Sequence, residues 1–200
     1  MKTNEPEDSY LKQVFVTQSK GFADISKKRD FWAEIANELN GVFSISHTIS
    51  QDIEIFNLKV PYEDVVIEFT ESDTKPLKVY CEIESEKDIS FSISIEDIFE
   101  KILKVFGQQD IKLNDPAFDK KYLVKGNDEK LTIDIINYKN VKELILKTNI
   151  FSVTCEHNKK NRKLQISSLV GRSVNSKEEM KDIYSMIKSI IEKVNIEVKG

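Results

Sequence analysis

The residue types that most often bind metals or move protons are sparse in this sequence. Its 200 residues include two histidines, His47 and His157, and two cysteines, Cys81 and Cys155. His157 follows Cys155 by two residues, which supplies at most one pair of ligands, whereas a structural zinc site needs four. Neither histidine has another histidine or cysteine at a metal-binding spacing, so we predict no metal site.

Three acids, Asp110, Asp115 and Asp119, are close enough in sequence to suggest a site for a hard cation. Their spacing lacks the tight alternation and the glycine bend of a calcium loop, so solvated acids near a turn are the simpler interpretation. The sequence also has no G-x-S-x-G, no G-x-x-x-x-G-K-[ST] and no G-x-G-x-x-G. We therefore assign no catalytic residue and expect no cofactor, and an enzyme of unrecognised mechanism that uses clustered carboxylates stays the alternative.

A second group of candidates is the basic stretch HNKKNRK over 157–163, with Lys159, Lys160, Arg162 and Lys163 as its cations. Such a stretch could contact a phosphate backbone or a lipid headgroup. It has no interleaved aromatic residues for base stacking, and lysines at a hairpin tip also protect a sheet against edge pairing. We interpret it as a solvated hairpin tip and keep a peripheral membrane or nucleic-acid contact as an alternative hypothesis.

Composition and charge narrow the class of protein further. The chain is 40% hydrophobic and 32% charged with a net charge of −4, which is typical of a globular protein without a general attraction to nucleic acid. The opening MKTNEPEDSYLKQ is polar and acidic, and no apolar run approaches eighteen residues. These patterns indicate neither a secretory signal nor a membrane span, so we expect a cytoplasmic protein with buried, reduced cysteines.

Hydrophobic periodicity divides the sequence into strand and helix segments. Alternation predicts strands over 42–46, 52–60, 64–70, 77–83, 91–95, 110–113, 122–124, 150–157 and 163–170. Helical spacing predicts helices over 29–41, 95–107, 140–148 and 176–195, with a further helix starting at 128. Strands come in runs instead of alternating strictly with helices, and this order favours an antiparallel sheet over a doubly wound nucleotide fold.

The fold class predicted is therefore α+β, with a mainly antiparallel sheet and amphipathic helices packed on one face. We expect residues 1–27 to be a polar N-terminal arm and 28–200 to be a single α+β domain. Each half ends in a long amphipathic helix, which suggests a division of the domain into two similar lobes over 28–107 and 108–200.

Local signals predict where the helices begin. Asp30 is expected to cap the first helix, Asn127 the helix that starts at 128, and Ser176 with Glu179 forms an S-x-x-E capping box for the last one. Pro116 is expected to interrupt regular structure.

The segment Asp115-Pro116-Ala117-Phe118-Asp119, followed by Tyr122-Leu123-Val124 and Gly126-Asn127-Asp128, resembles an element found in a group of uncharacterised bacterial proteins. The resemblance implies a strand-rich region before the element, and short helices, a hairpin and a C-terminal amphipathic helix after it. These relatives resemble domains of unknown function, and they bring no catalytic residue. The resemblance thus favours a binding or scaffold role.

The leading hypothesis is a non-enzymatic module that binds another protein or a small ligand. Its candidate binding residues are Asp115, Phe118, Asp119, Tyr122, Lys159, Lys160 and Arg162. An exposed patch on the sheet that uses Tyr80, Tyr62 or Phe118 would support this hypothesis. The sequence leaves the identity of the partner and the oligomeric state open.

Overall fold

A computed structural model describes residues 25–48, 53–95 and 109–200 of the chain. In chain order the elements are α1 (Ile25–Glu38), β1 (Val42–His47), β2 (Glu54–Tyr62), β3 (Val65–Ser72), β4 (Lys75–Glu84), β5 (Phe91–Ile95), β6 (Gln109–Ile111), α2 (Pro116–Asp119), β7 (Tyr122–Gly126), α3 (Glu129–Ile136), α4 (Val141–Thr148), β8 (Ser152–Asn158), β9 (Lys163–Leu169) and α5 (Lys177–Lys199).

The nine strands of the described residues belong to one sheet with the order β1-β2-β3-β4-β9-β8-β5-β7-β6. At one end of the sheet, strands that follow one another in sequence are also neighbours, and β1 pairs with β2 and β2 with β3 in the antiparallel direction. Strand β5 lies between β7 and β8 and is antiparallel to both. The predicted α+β class with an antiparallel sheet is confirmed.

Contacts divide the chain into two compact units, and the described residues of the first lie within 25–79 and 169–180. Within it, α1 packs on β1 and β2. The Trp32 ring lies 5.8 Å from the Phe56 ring and 6.1 Å from the Phe43 ring, measured between centroids. Trp32 and Ile35 are completely buried, so the helical spacing of the apolar residues correctly predicted the core-facing side of this helix.

The described residues of the second unit lie within 80–168 and 181–200. Strands β4 and β9 bury alternate side chains there, as one-sided sheets do, whereas Phe91–Ser94 of β5 are all buried. The buried apolar side chains of β4, β8 and β9 in this unit are Cys81, Ile83, Val153, Cys155, Leu164 and Ile166. The stripe of α5 is buried as well, with Ile183, Ile187, Ile190, Ile191 and Val194 at most 1% exposed.

Two predicted helix caps are wrong. Asp30 lies inside helix α1 (Ile25–Glu38) and does not cap it. Helix α3 is capped by Asp128, whose carboxylate accepts a hydrogen bond from Leu131 N at 2.9 Å. The Asn127 side chain instead accepts from Ser90 N at 3.0 Å and donates to the Asp88 carbonyl oxygen. The second error arises because a distant segment supplies partners for Asn127 that the local sequence does not reveal.

The starts of α2 and α5 agree only partly with the predictions from the sequence. Pro116 does not interrupt regular structure but occupies the first position of α2, where its missing N–H costs nothing. Ser176 Oγ accepts from Glu179 N at 3.3 Å, which is one half of the predicted capping box. The Glu179 carboxylate pairs with Arg172.

Two of the predictions from the sequence concern residues that the structure does not describe. Residues 1–24 of the predicted arm over 1–27 are outside the described residues, as are residues 96–107 of the helix predicted over 95–107. The division into lobes stays a prediction. In the part of the chain that is described, none of the helices is both long enough and apolar enough to cross a bilayer.

Candidate functional site

The acids of the Asp115–Asp119 segment hold the local backbone. The Asp115 side chain caps α2 by accepting from Ala117 N at 3.1 Å and from Phe118 N at 3.2 Å. The Asp119 carboxylate turns back and accepts from Leu113 N at 3.0 Å and from Asp115 N at 3.2 Å. Each carboxylate therefore satisfies two backbone donors of a tight turn, which accounts for both acids structurally.

Asp115 also has an ionic partner. Lys142 Nζ lies 2.9 Å from Asp115 Oδ2, and this contact, with the two backbone donors, holds the pKa of Asp115 below its ordinary value. The carboxylate is therefore charged at neutral pH and is already engaged with the start of α4.

The two aromatic residues of the same element are buried. The Phe118 and Tyr122 rings lie 5.0 Å apart, and Phe118 is 0% exposed. The Tyr122 hydroxyl donates toward two carbonyl oxygens, that of Ile150 at 2.9 Å and that of Ile145 at 3.2 Å. These side chains tie β7 to the end of α4, and a further role in binding stays a prediction.

Replacing Tyr122 by phenylalanine should lower the free energy of unfolding by about 1–3 kcal/mol, because two buried carbonyl groups lose a donor. Chemical denaturation followed by circular dichroism measures the change. Tyr138→Phe is the control, since the Tyr138 ring lies at the surface beside the half-exposed Lys139, and it should change stability by less than about 0.5 kcal/mol. Equal stability of the two variants would contradict the structural role of Tyr122.

The basic stretch predicted as a hairpin tip connects β8 and β9, as expected. Two of its cations face acids of the segment that follows β4. Lys159 Nζ lies 3.0 Å from Asp88 Oδ2, and Arg162 Nη1 lies 2.9 Å from Glu86 Oε1. Both pairs are largely exposed, so they contribute little to stability, but the acids reduce the positive charge that a polyanion would meet.

Charge reversal of Lys159, Lys160 and Arg162 to glutamate should leave binding to anionic vesicles or duplex DNA unchanged, because neighbouring acids already offset this loop. Co-sedimentation with vesicles and a DNA mobility shift, each at low and at physiological salt, measure this. Binding by the natural chain that weakens with salt and disappears in the triple variant would instead support the membrane or nucleic-acid hypothesis.

A set of polar side chains on β4, β8 and β9 faces away from the buried residues of those strands. We call it the polar face, and it comprises Tyr80, Glu82, Thr154, Lys163, Gln165 and Ser167, all of intermediate exposure. Each member alternates in sequence with a buried core residue. The sheet thus places a partly solvated row of hydrogen-bonding groups on the surface opposite the core.

Glu82 is the centre of this face. Its Oε1 accepts from the Tyr80 hydroxyl at 2.5 Å and from Gln165 Nε2 at 3.0 Å, and its Oε2 accepts from Lys163 Nζ at 2.8 Å. Next to it, Thr154 Oγ1 and Ser167 Oγ lie 2.9 Å apart. These contacts fix the orientation of every side chain on the face.

The same contacts set the ionisation of the face. Hydrogen bonds from Lys163, Tyr80 and Gln165 lower the pKa of Glu82 to about 2. Burial, followed by the hydrogen bond to Glu82, raises the pKa of Tyr80 to about 12. Near neutral pH, Glu82 is therefore a fixed carboxylate and Tyr80 a neutral phenol.

Hydroxyl side chains continue the polar face onto β5. Ser92 lies opposite Thr154, and Ser94 lies opposite Ser152, so all four point to the same side of the sheet. Ser92 and Ser94 are buried, and the Ser94 hydroxyl has no hydrogen-bond partner within the described part of the chain. Buried hydroxyl groups without a partner are uncommon in native proteins.

Tyr80 was among the candidates predicted from the sequence, Lys163 was predicted only as part of the basic stretch, and Glu82 and Gln165 were not predicted. Glu82 is separated from its two β9 partners by more than 80 residues, so only the pairing of the strands brings them together. The alternation of polar and apolar residues indicated which side chains of each strand face away from the core. It did not indicate which strands are neighbours in the sheet.

A buried ion pair in the first unit is a second group that the sequence did not reveal. Lys28 Nζ lies 2.9 Å from Glu71 Oε1 and 4.8 Å from the centre of the Phe56 ring, and both charged residues are 1% exposed. Burial raises the pKa of Glu71, and the Lys28 charge opposes this effect only in part. No substrate reaches such a pair directly, so it is better explained as part of the fold.

Metal chemistry finds no support among residues 25–48, 53–95 and 109–200, where no three metal-binding side chains cluster. Cys81 and Cys155 are free, buried thiols. Burial raises the pKa of Cys81 to about 12 and also raises that of Cys155, so neither forms a reactive thiolate at neutral pH.

No protein-family model matches the chain, and no curated protein matches it in sequence. Among solved structures, the crystal structure of the mycobacterial trehalose monomycolate transport factor A, TtfA, is similar to it with a TM-score of 0.49 and 5% sequence identity. The similarity covers 82% of this chain and 93% of the TtfA chain. A likeness of this degree assigns no function to the present chain.

Proposed function

We propose that this protein is a non-enzymatic binding module that recognises a polar partner through the polar face. The observation that carries the proposal is the hydrogen-bonded network around Glu82, in which four side chains are held in fixed positions on a partly solvated sheet surface. Groups that are oriented before binding lose little entropy when a partner arrives.

The ionisation of the face favours binding over acid–base catalysis. A general acid or base works best when its pKa is close to the working pH. The pKa of Glu82 is lowered to about 2 and that of Tyr80 is raised to about 12, so both move away from neutrality. A permanent carboxylate, an ammonium group, an amide and a half-exposed aromatic ring are suited to recognition.

The enzyme alternative would need a carboxyl group whose pKa is raised toward neutrality in a place that a substrate can reach. Among the described residues, Glu71 has the raised pKa, but its side chain is 0% exposed. The buried pair therefore does not favour the enzyme hypothesis.

Affinity purification with matched variants tests the proposal. The natural chain, Tyr80→Ala/Gln165→Ala and the control Lys59→Ala/Glu68→Ala are used as baits, and retained proteins and small molecules are identified by mass spectrometry. The control removes an exposed ion pair of 3.0 Å on β2 and β3, outside the polar face. Circular dichroism melting establishes that all three baits are folded.

A molecule retained by the natural chain and the control, and depleted at least about tenfold on the polar-face variant, is the expected result. Retention that is equal on all three baits would place binding elsewhere. A turnover of any retained small molecule by the natural chain would favour the enzyme alternative instead.

A further inference from the structure

The two edge strands of the sheet differ in how well they are protected. At one end, the described part of β6 is Gln109–Ile111, and Asp110 in it pairs with Lys125 at 3.2 Å. An edge strand that carries charged side chains resists pairing with other chains. At the other end, β1 runs over six residues, Val42–His47, without a lysine, proline or acid.

Strand β1 is accessible as well as unprotected. Val42 is 68% exposed, and Ser44 and Ser46 are exposed too. Within the described residues β1 pairs with β2 alone and ends the strand order. Natural sheets usually blunt such an edge, so a long unblunted edge indicates a surface that pairs with another strand.

The hydrogen bonds of the β1–β2 pair reveal which backbone groups of β1 point outward. Thr48 N donates to the Ile53 carbonyl at 3.0 Å, so Thr48 and Ile53 form a hydrogen-bonded pair. Such pairs alternate along an antiparallel ladder, and the even-numbered residues of β1 are therefore bonded to β2. The N–H and C=O groups of Phe43, Ile45 and His47 point away from β2.

We infer that this edge pairs with the same edge of a second copy of the chain, in an antiparallel two-fold arrangement. Centring the two-fold axis at Ile45 uses all three outward residues, since Phe43 lies opposite the partner's His47 and Ile45 opposite the partner's Ile45. Six backbone hydrogen bonds form in this register. A register with the two-fold axis one residue closer to Gly41 is less favourable for pairing, because Gly41 N already donates to the Ala36 carbonyl at 2.8 Å.

Side-chain chemistry favours a second copy as the occupant. In this register the core-side residues Phe43 and Ile45 stay on one side of the joined sheet, and Ser44 lies opposite the partner's Ser46. No like charges face one another, because β1 carries no lysine, arginine or acid, and His47 faces an aromatic ring of the partner. The contact is a single strand pair, so a weak, concentration-dependent dimer is expected.

Sedimentation velocity with the full chain, from about 10 μM to about 1 mM, measures the fraction of dimer. The same measurement is made on two charge variants that differ from each other at one position. Ser44→Lys/Ser46→Lys places lysine opposite lysine twice and should weaken dimerisation about tenfold. Ser44→Lys/Ser46→Glu places lysine opposite glutamate twice and should dimerise at least as well as the natural chain. Melting curves establish that both variants are folded.

A natural chain that stays monomeric over the whole range overturns the inference, even if the edge binds a strand of another protein. Equal weakening in both variants also overturns it, because that result is incompatible with Ser44 facing the partner's Ser46. A dimer that neither variant affects would place the interface on another surface.

Discussion

Replacing Lys28 by methionine should lower the free energy of unfolding by about 3–5 kcal/mol, which is the cost of leaving one member of a buried ion pair without its partner. Lys28 and Glu71 are each 1% exposed, and their charged atoms lie 2.9 Å apart. Without the ammonium group, the Glu71 carboxylate remains in an apolar environment with only weaker partners. Urea denaturation followed by circular dichroism measures the loss.

A matched control and a double variant separate the effect of the buried charges from the effect of removing a lysine side chain. Lys27→Met removes an exposed lysine from the neighbouring position of α1 and should change stability by less than about 0.5 kcal/mol. Lys28→Met/Glu71→Leu replaces both charges by apolar groups of similar size and should recover most of the lost stability or exceed that of the natural chain. A double variant as unstable as the single one would show that the pair's charge is not the cause.

The loss of stability in Lys28→Met should depend on pH in a defined direction. Burial raises the pKa of Glu71 above its ordinary value of 4.5, so the folded protein holds this proton more tightly than the unfolded chain does. Stability therefore falls as the pH rises from about 4.5 through the folded-state pKa. Removing Lys28 removes the charge that opposes this effect, so the variant should be closest to the natural chain near pH 4 and furthest from it near pH 7. A difference that is constant with pH would contradict this account.

Phe118→Ala should lower the free energy of unfolding by about 3–5 kcal/mol, because a large aromatic side chain is removed from a site without solvent exposure. The Tyr122 ring, whose centre lies 5.0 Å away, loses its neighbour at the same time. Phe118→Leu keeps most of the volume and should cost substantially less. Thermal and chemical denaturation of the two variants give the comparison.

The same pair of variants addresses the sequence-based hypothesis that Phe118 binds a partner. If Phe118 acts through the fold, Phe118→Leu should retain whatever molecule the natural chain retains in affinity purification. Loss of that molecule from a Phe118→Leu protein of near-natural stability would assign Phe118 a direct part in binding. Stability of Phe118→Ala within about 1 kcal/mol of the natural chain would contradict the core role.

Local pattern predicted the elements of this protein well. Alternation over 77–83 and 163–170 identified β4 and β9 together with their buried sides, and helical spacing identified the stripe of α5. These predictions succeed because the periods of a strand and a helix are written into consecutive residues. The run of strands without intervening helices then indicated the α+β class, which the structure confirms.

Sites formed between distant segments were not predictable in the same way. Glu82 meets Lys163 and Gln165 only because β4 lies beside β9 in the sheet, and Lys28 meets Glu71 only because α1 packs on β1 and β2, next to β3. Strand order is a choice among many pairings of similar strands, and periodicity within one strand contains no information about its neighbour. The predicted binding residues Asp115, Phe118, Asp119 and Tyr122 formed a local pattern, and the structure gives each of them a local contact, to which the Tyr122 hydroxyl adds a distant one with the Ile150 carbonyl.

The sequence by itself determined the α+β class, the sides of the strands that face the core, and the scarcity of residues for metal or nucleophilic chemistry, because these properties depend on residue type and short-range spacing. The tertiary structure alone decided which polar residues share the polar face, which ion pair is buried, and which strand is left as an open edge. Each of these depends on contacts between residues far apart in the chain, where burial and pairing override local preference.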